Sequence, residues 1–370
     1  MGGGVAGPAL ARLLQGHADI TLIDKAIRWG NVGYAIALWG NGQKVLREIG
    51  IDHSVLKMGY EVPWDVTEDK KGEILRALTF ETFRPYGPTT IVTRADVQQA
   101  LVRGLDSFVK VKMGITVEKI SQNETSATVR LSDGSEEIFD LVVGADGIHS
   151  QVREMVFKED FLKYYGWSVD TFWAPKQFTP SRGAIHISSA GKLCFIFPLE
   201  DKAVVTLSMV TEKIEDKSDH SKEALHRIFA DFKDSVGHLI DSIEDPEHIF
   251  HDNLAHVDME RWYKGRVVLV GDAQHATSPS TGMGASMALE DAYVLAEELK
   301  NSSGNISLAL KNYEKRRSGR IKRFRKVSRL VDRWTQIKNP FEFWWRSIVI
   351  KFVPVSFFLN KIEKIVAEKI

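Results

Sequence analysis

Gly265-Arg-Val-Val-Leu-Val-Gly271-Asp272-Ala273-Gln274-His275-Ala276-Thr277-Ser278-Pro279-Ser280-Thr281-Gly282-Met283-Gly284-Ala285 is the stretch that organises the rest of the chain. Arg266 to Val270 reads as a buried strand that delivers Asp272 to a loop. Pro279 fixes φ and stiffens that loop. Gly282 and Gly284 let backbone come close to a flat ligand where a helix begins. That helix is expected over Gly284–Leu299, with small residues at Ala285, Ala288 and Ala292 suited to close packing. Strand, ligand loop and helix in that order point to an α/β domain.

Two further segments repeat the logic. Gly2-x-Gly4-x-x-Gly7 opens a helix expected over Pro8–Gln15, and Asp24 closes the apolar strand Ile20–Asp24. The first glycine permits a tight turn, the second lets backbone approach a pyrophosphate, and the third allows close packing of helix on strand. Free N–H groups at the helix start would face the phosphates, and Asp24 could accept from ribose hydroxyls. Such a motif ordinarily follows an apolar strand, but only Met1 precedes Gly2. Two expectations stay open: a chain start that is wrongly chosen or trimmed, or a domain compromised by unpaired edges on the neighbouring strands. In the other segment, Leu141–Val143 is a short buried strand running into the turn Gly144-Ala145-Asp146-Gly147, with Ser150 as a helix N-cap.

The 370 residues suffice for two domains with a large core, and 44% hydrophobic with 26% charged residues is ordinary for a globular protein. Zero net charge gives the whole chain no electrostatic appetite for nucleic acid. The average conceals an asymmetry: Lys311–Ile370 carries about +12 and the remainder about −12. A single cysteine, Cys194, excludes an intrachain disulfide and a cysteine metal cluster, and fits a reducing cytoplasm. No charged n-region followed by an apolar stretch marks a signal peptide. Phe341–Leu359 is interrupted by Glu342, Arg346, Lys351 and Pro354, so no spanning helix is expected. Helices are expected over Gly42–Ile49, Arg94–Arg103 and Lys222–Phe232. Strands are expected around Ile115–Ile120, Ala127–Leu131, Leu141–Val143, Gly183–Ser189, Leu193–Phe197 and Ala203–Met209.

The order and spacing of the three motifs resembles the class A flavoprotein monooxygenases, the group of para-hydroxybenzoate and salicylate hydroxylases, from about Gly2 to Arg329. The resemblance implies an α/β fold: a Rossmann-like FAD-binding domain with an inserted antiparallel β-sheet substrate domain and a helical C-terminus. It divides the chain into a discontinuous FAD-binding domain (1–60, 89–156 and 255–305), a substrate-binding part (61–88 and 157–254) and a C-terminal helical region (306–370). It puts Gly2, Gly4, Ala6, Gly7, Asp24 and Lys25 at the ADP half of FAD, with Arg94 and Val117 also against the cofactor. Asp146 and Gly147 match the fingerprint linked to FAD and NAD(P)H. Gly271 and Asp272 match the ribityl contact, and Pro279, Gly282, Met283, Gly284 and Ala285 match the loop and helix beside the flavin ring. A helix start there would stabilise the anionic reduced ring. Gln274, Met283 and Ser286 depart from the commonest family residues; Gln274 is expected to be neutral, and Met283 and Ser286 to adjust ring contacts without removing the backbone donors.

The implied reaction uses NADPH or NADH as reductant and O2 as oxidant, and hydroxylates or epoxidises a small aromatic or electron-rich substrate through a flavin C4a-hydroperoxide. No side-chain nucleophile is needed, so the flavin carries the chemistry. His186, Phe195 and Phe197 are candidates for the substrate pocket, each also a reasonable core residue. His275 and His149 read as structural hydrogen-bonders. The related alternatives are a flavin-dependent reductase, whose Tyr-x-Trp-x-Phe-Pro pattern is absent, or a halogenase, whose Trp-x-Trp-x-Ile-Pro pattern is absent; Leu193–Pro198 stands in their place. An alternative of another class is a non-catalytic binding protein, motivated by the missing strand before Gly2. The cations from Lys315 to Arg329 read as a solvated helix face. Phe343, Trp344, Trp345, Phe352, Phe357 and Phe358 make the tail a candidate for membrane or subunit contact.

Overall fold

The protein is described from a computed structural model covering residues 1–30, 33–181, 183–211, 220–354 and 356–370; the side chains of Phe357 and Phe358 lie outside the description. The chain opens with helix α1 (Ala6–Leu13), strands β1 (Ile20–Asp24) and β2 (Ala35–Leu38), and helices α2 (Gly40–Ile49) and α3 (Asp52–Leu56). Strands β3 (Tyr60–Glu61), β4 (Trp64–Asp69), β5 (Ile74–Thr79) and β6 (Thr90–Thr93) lead into α4 (Arg94–Val102). Next come β7 (Val109–Met113), β8 (Val117–Gln122), β9 (Ala127–Leu131), β10 (Glu136–Phe139), β11 (Val142–Gly144) and α5 (Gln151–Phe157). The long β12 (Leu162–Pro175) precedes β13 (Ala184–Ser189), β14 (Lys192–Pro198), β15 (Lys202–Val210), α6 (Lys222–Phe229), α7 (Asp234–Asp241) and β16 (Phe250–Val257). The last third holds β17 (Tyr263–Lys264), β18 (Val267–Leu269) and α8 (Asp272–His275). After these come α9 (Gly284–Asn301), α10 (Ile306–Thr335), α11 (Pro340–Phe352) and α12 (Ser356–Val366).

Local chemistry explains the element ends. Gly50 takes the left-handed conformation (φ +81°) that stops α2. Ser150 Oγ accepts from the Arg153 N–H and caps α5. α1 starts two residues earlier than the periodicity predicts, because the glycine turn runs straight into it. α6 ends at Phe229 rather than Phe232, and Phe232 turns back onto Phe229 at 5.2 Å between ring centroids.

Two parallel pairs make the cofactor-side sheet: β1 with β7, and β11 with β18, which β17 extends. No strand lies between β1 and β11 among the described residues. Met1 and Gly2 bridge them instead: Gly2 N–H donates to Ile23 O (2.8 Å), Met1 N to Val143 O (2.7 Å), and Ala145 N–H to Met1 O (2.7 Å). α9 packs against α1, α2 and α10, burying Leu289, Ala292 and Leu295 completely. Each fully buried Leu stabilises this layer by about 1.5–3 kcal/mol.

A seven-stranded sheet stands beside this core in the order β16-β12-β15-β14-β13-β4-β5, antiparallel except between β13 and β4. Its alternation separates two faces. Ile187, Cys194, Ile196, Val205, Leu207 and Phe172 point to α6 and α7. His186, Phe195, Phe197, Thr171 and Thr206 occupy the other parity and face away from those helices.

The basic run is only in part a solvated face: Lys315, Lys322 and Lys326 are exposed, but Arg317 and Arg320 are only 1% and 3% exposed and pair with Glu290 and Asp291 of α9. Arg316 pairs with Glu297 and Glu298, Arg323 with Glu368, and Arg325 and Arg329 with Asp258. Arginine forks suit such buried carboxylate pairing.

Candidate active site

The glycine turn is built by close approach. A Cβ on Gly7 would sit 2.0 Å from Gly2 O, and one on Gly2 (φ +102°) would sit 2.2 Å from Ala145 O. Neither position accepts a side chain. Gly4 differs: the nearest atom to a Cβ there is the Arg94 guanidinium, at 3.5 Å. Arg94 is exposed and has no acidic partner among the described residues, so its charge is free to meet an anion. Asp24 braces the turn, accepting Gly3 N–H at 2.5 Å on one oxygen and Ala26 N–H at 2.8 Å on the other. A carboxylate retains further lone pairs for ribose hydroxyls. α1 and α9 begin with no side-chain cap, leaving first-turn N–H groups for a ligand.

The other predicted residues distribute unevenly. Asp146 is adjacent to Gly2, and its carboxylate accepts from Ser150 Oγ (2.6 Å) and Val152 N–H (3.1 Å). Gly147 takes φ +79° with open space around it. Ala6 lies beside Gly271, whose Cβ would also meet Ala288 Cβ at 3.1 Å. Lys25 is exposed after β1. Val117 does not present its side chain to the cleft: it starts β8 opposite Leu131 and is buried in the main core. Asp272 is exposed rather than buried and lies near Gly284, a Cβ on which would be 3.9 Å from its Oδ1. Met283 is fully buried in the core, so only its backbone can reach a ligand. Ser286 also turns away, accepting the Trp39 N–H at 3.0 Å. These two therefore shape helix packing and not ring contacts. Pro279 is exposed, and Gly282 (φ +61°) places a hypothetical Cβ 3.0 Å from Ala37 Cβ.

A buried network, missed from sequence, holds the Gly271 turn. Asp291 accepts from Gly271 N–H (2.9 Å), Gln274 Nε2 (3.0 Å), His275 Nε2 (2.5 Å) and Arg317 Nε (2.7 Å). Burial pushes its carboxyl up, but His275 and Arg317 outweigh burial and hold it down at about 2. His275 is thus a structural hydrogen-bonder. The signal was available: Glu290 and Asp291 interrupt the apolar stripe of a helix that an arginine-rich helix follows. The Pro279–Gly282 loop is pinned from α10, with Ser280 Oγ donating to Asp332 Oδ1 at 2.6 Å.

His186, Phe195 and Phe197 are brought together. The His186 ring lies 4.6 Å from Phe195 and 5.7 Å from Phe197, and the two phenyl rings stack at 6.2 Å. Asp65 of β4, not singled out from sequence, places Oδ2 3.2 Å from His186 Nε2. Burial raises the Asp65 carboxyl, with His186 opposing that rise. Phe197 and Trp173 pack in one cluster with Ala37, the residue that meets Gly282. Exposed His149, after the Asp146-Gly147 turn, acts electrostatically on Asp252 of β16, whose carboxyl burial raises. The sheet face and the nucleotide motifs therefore adjoin.

A glycine turn with a free arginine, an acid closing β1, and a glycine-bounded loop against an aromatic sheet define an FAD-dependent oxidoreductase. The chain belongs to the family described as FAD binding domain, which matches residues 1–328. A flavin-dependent monooxygenase of an unknown prokaryotic organism is 31% identical over 85% of this chain and 83% of its own. The 2-heptyl-3-hydroxy-4(1H)-quinolone synthase of Pseudomonas aeruginosa strain UCBPP-PA14 is 30% identical over 95% of this chain and 93% of its own. In fold, the chain matches Klebsiella pneumoniae HpxO complexed with FAD and uric acid, with a TM-score of 0.88 and 24% identity, over 99% of this chain and 95% of that one. The protein is an FAD-dependent monooxygenase with FAD as cofactor and NADPH or NADH as reductant.

Proposed function

We propose that the protein hydroxylates or epoxidises a flat, electron-rich aromatic substrate held between the His186, Phe195 and Phe197 face and the Pro279–Gly282 loop. The observation that carries this reading is the continuity from Phe197 through Ala37 to Gly282. The quinolone named in the Pseudomonas relative is a substrate-class precedent of that shape. When bound, FAD supplies the oxygen activation and transfer. The chain supplies the rest. Gly2, Gly4, Ala6, Gly7, Asp24, Lys25 and Arg94 hold the ADP half; Asp146, Gly147, Gly271 and Asp272 hold the middle. Pro279, Gly282, Gly284 and Ala285, with the backbones of Met283 and Val117, complete the cofactor contacts. Phe195 and Phe197 exclude water and stack on the substrate, while His186, paired with Asp65, offers a polar group that fixes its orientation. Strands from 64–79 and 162–257 in one sheet support assigning substrate binding to 61–88 and 157–254.

The test is oxygen uptake with NADPH or NADH against phenols, hydroxypyridines and 4(1H)-quinolones. Substrate-stimulated uptake with a hydroxylated product is expected. Uptake that no aromatic compound stimulates, while an aliphatic amine or sulfide does, would refute the substrate class.

The tail reading rests on α11. Phe341, Trp344, Trp345 and Phe352 are 65%, 55%, 50% and 80% exposed and lie on one helical stripe. Arg346, buried on the other side, anchors the helix by donating to Trp334 O (2.7 Å) and Ser188 Oγ (3.2 Å). No helix among the described residues is long and apolar enough to cross a membrane. An outward aromatic stripe with Lys351 beside it suits a lipid surface. Flotation with anionic vesicles tests it, and a concentration-dependent dimer without vesicle binding would assign the stripe to a subunit contact instead.

A further inference from the structure

Away from the cleft, on the helix-covered side of the seven-stranded sheet, three side chains from three segments converge. Asp170 of β12 is 1% exposed and shares the parity of Phe172, which packs under α6 and α7. His251 of β16 stands opposite Asp170 in register and places Nδ1 2.8 Å from Asp170 Oδ1. His220, just ahead of the Ser221 cap of α6, places its own Nδ1 3.1 Å from the same oxygen. The two imidazole rings lie 3.8 Å apart with 31° between their planes. One ligating atom from each of the three residues falls within 4.8 Å of the others.

Hydrogen bonding alone leaves this cluster incomplete. Asp170 Oδ2 and His251 Nε2 are buried and have no hydrogen-bond partner among the described residues. A buried carboxylate with a bare oxygen is costly. A cation between the three donors would satisfy the carboxylate and use the ring nitrogens as neutral donors. Two imidazoles and one carboxylate are a donor set for borderline divalent ions, above all Zn2+. Mg2+ and Ca2+ prefer oxygen ligands throughout.

We propose that Asp170, His220 and His251 form a Zn2+-binding site, with water in the remaining coordination position. The ion ties β12, β16 and the segment entering α6 into one unit. It stands apart from the flavin chemistry and does not depend on the substrate reading.

The experiment uses the full chain, freed of any affinity tag and stripped with a chelator. ZnCl2 is titrated calorimetrically, and bound zinc is measured after dialysis. One equivalent is expected in the unaltered protein, with a higher Tm in zinc than in chelator and no such rise with MgCl2. His220→Ala removes a ligand whose side chain is 26% exposed, so folding should survive; circular dichroism checks this. It and His251→Ala should each weaken Zn2+ binding at least about tenfold. Asp170→Asn should do the same where it folds. Absence of retained zinc, or equal retention in His220→Ala and His251→Ala, would overturn the site.

Discussion

Substituting Gly4 separates the cofactor role of the first turn from its folding role. A Cβ at Gly4 meets only the tip of Arg94, at 3.5 Å, and the backbone there does not need positive φ. Gly4→Ala should therefore leave the unliganded fold intact, and can gain about 0.4–1 kcal/mol by restricting the unfolded chain. The same methyl would stand where a pyrophosphate must approach. Losing one or two charge-assisted hydrogen bonds costs about 1.5–3 kcal/mol each, so FAD should bind at least about tenfold more weakly. Gly4→Val should lose more. Gly7→Ala is the contrast: its Cβ would lie 2.0 Å from Gly2 O, so the fold itself should suffer. The assay is FAD titration by flavin fluorescence, with urea unfolding of the unliganded protein alongside. An unchanged FAD Kd in a folded Gly4→Val variant would refute the placement of the pyrophosphate over this turn.

Asp291→Asn strips the charge partner of Arg317 on that side and loosens the Gly271 turn; a loss of about 3–5 kcal/mol in urea unfolding is expected, with weaker FAD retention. The ionised carboxylate, held near 2 in the folded state, lies below its unfolded value. Its contribution of about 2 kcal/mol is thus present above the unfolded pKa near 4 and lost as pH falls toward 2, so wild-type stability should drop in that window while Asp291→Asn shows a shallower fall. Phe195→Ala and His186→Ala should raise KM for the aromatic substrate without changing FAD affinity; weakened FAD binding would place these residues elsewhere. Trp344→Ala combined with Trp345→Ala should abolish vesicle flotation and spare oxygen uptake, and retained flotation would remove α11 from the lipid contact.

Locally encoded features were legible in sequence. β1, β9, the Gly50 stop and the Ser150 cap each rest on neighbouring residues, and the structure places them as expected. The two glycine motifs and the Asp146-Gly147 turn were legible because backbone approach demands particular residues at particular spacings. Side-chain direction was harder. Met283 and Ser286 sit at the start of α9 beside the Pro279–Gly282 loop, yet helix packing takes both inward. Asp65 reaches His186 only because β4 pairs in parallel with β13, more than a hundred residues later. Such a pairing leaves no local trace. Arg317 and Arg320 of α10 read as solvated because their acidic partners lie on another helix, inside its apolar stripe.

The most direct measurement is the visible spectrum of the purified protein supplemented with FAD, followed by oxygen uptake with NADPH or NADH and an aromatic panel. Bound-flavin bands that bleach with the reductant, with oxygen uptake stimulated by an aromatic substrate, are the predicted result. A folded protein that leaves the added FAD free in solution would contradict the account at its root.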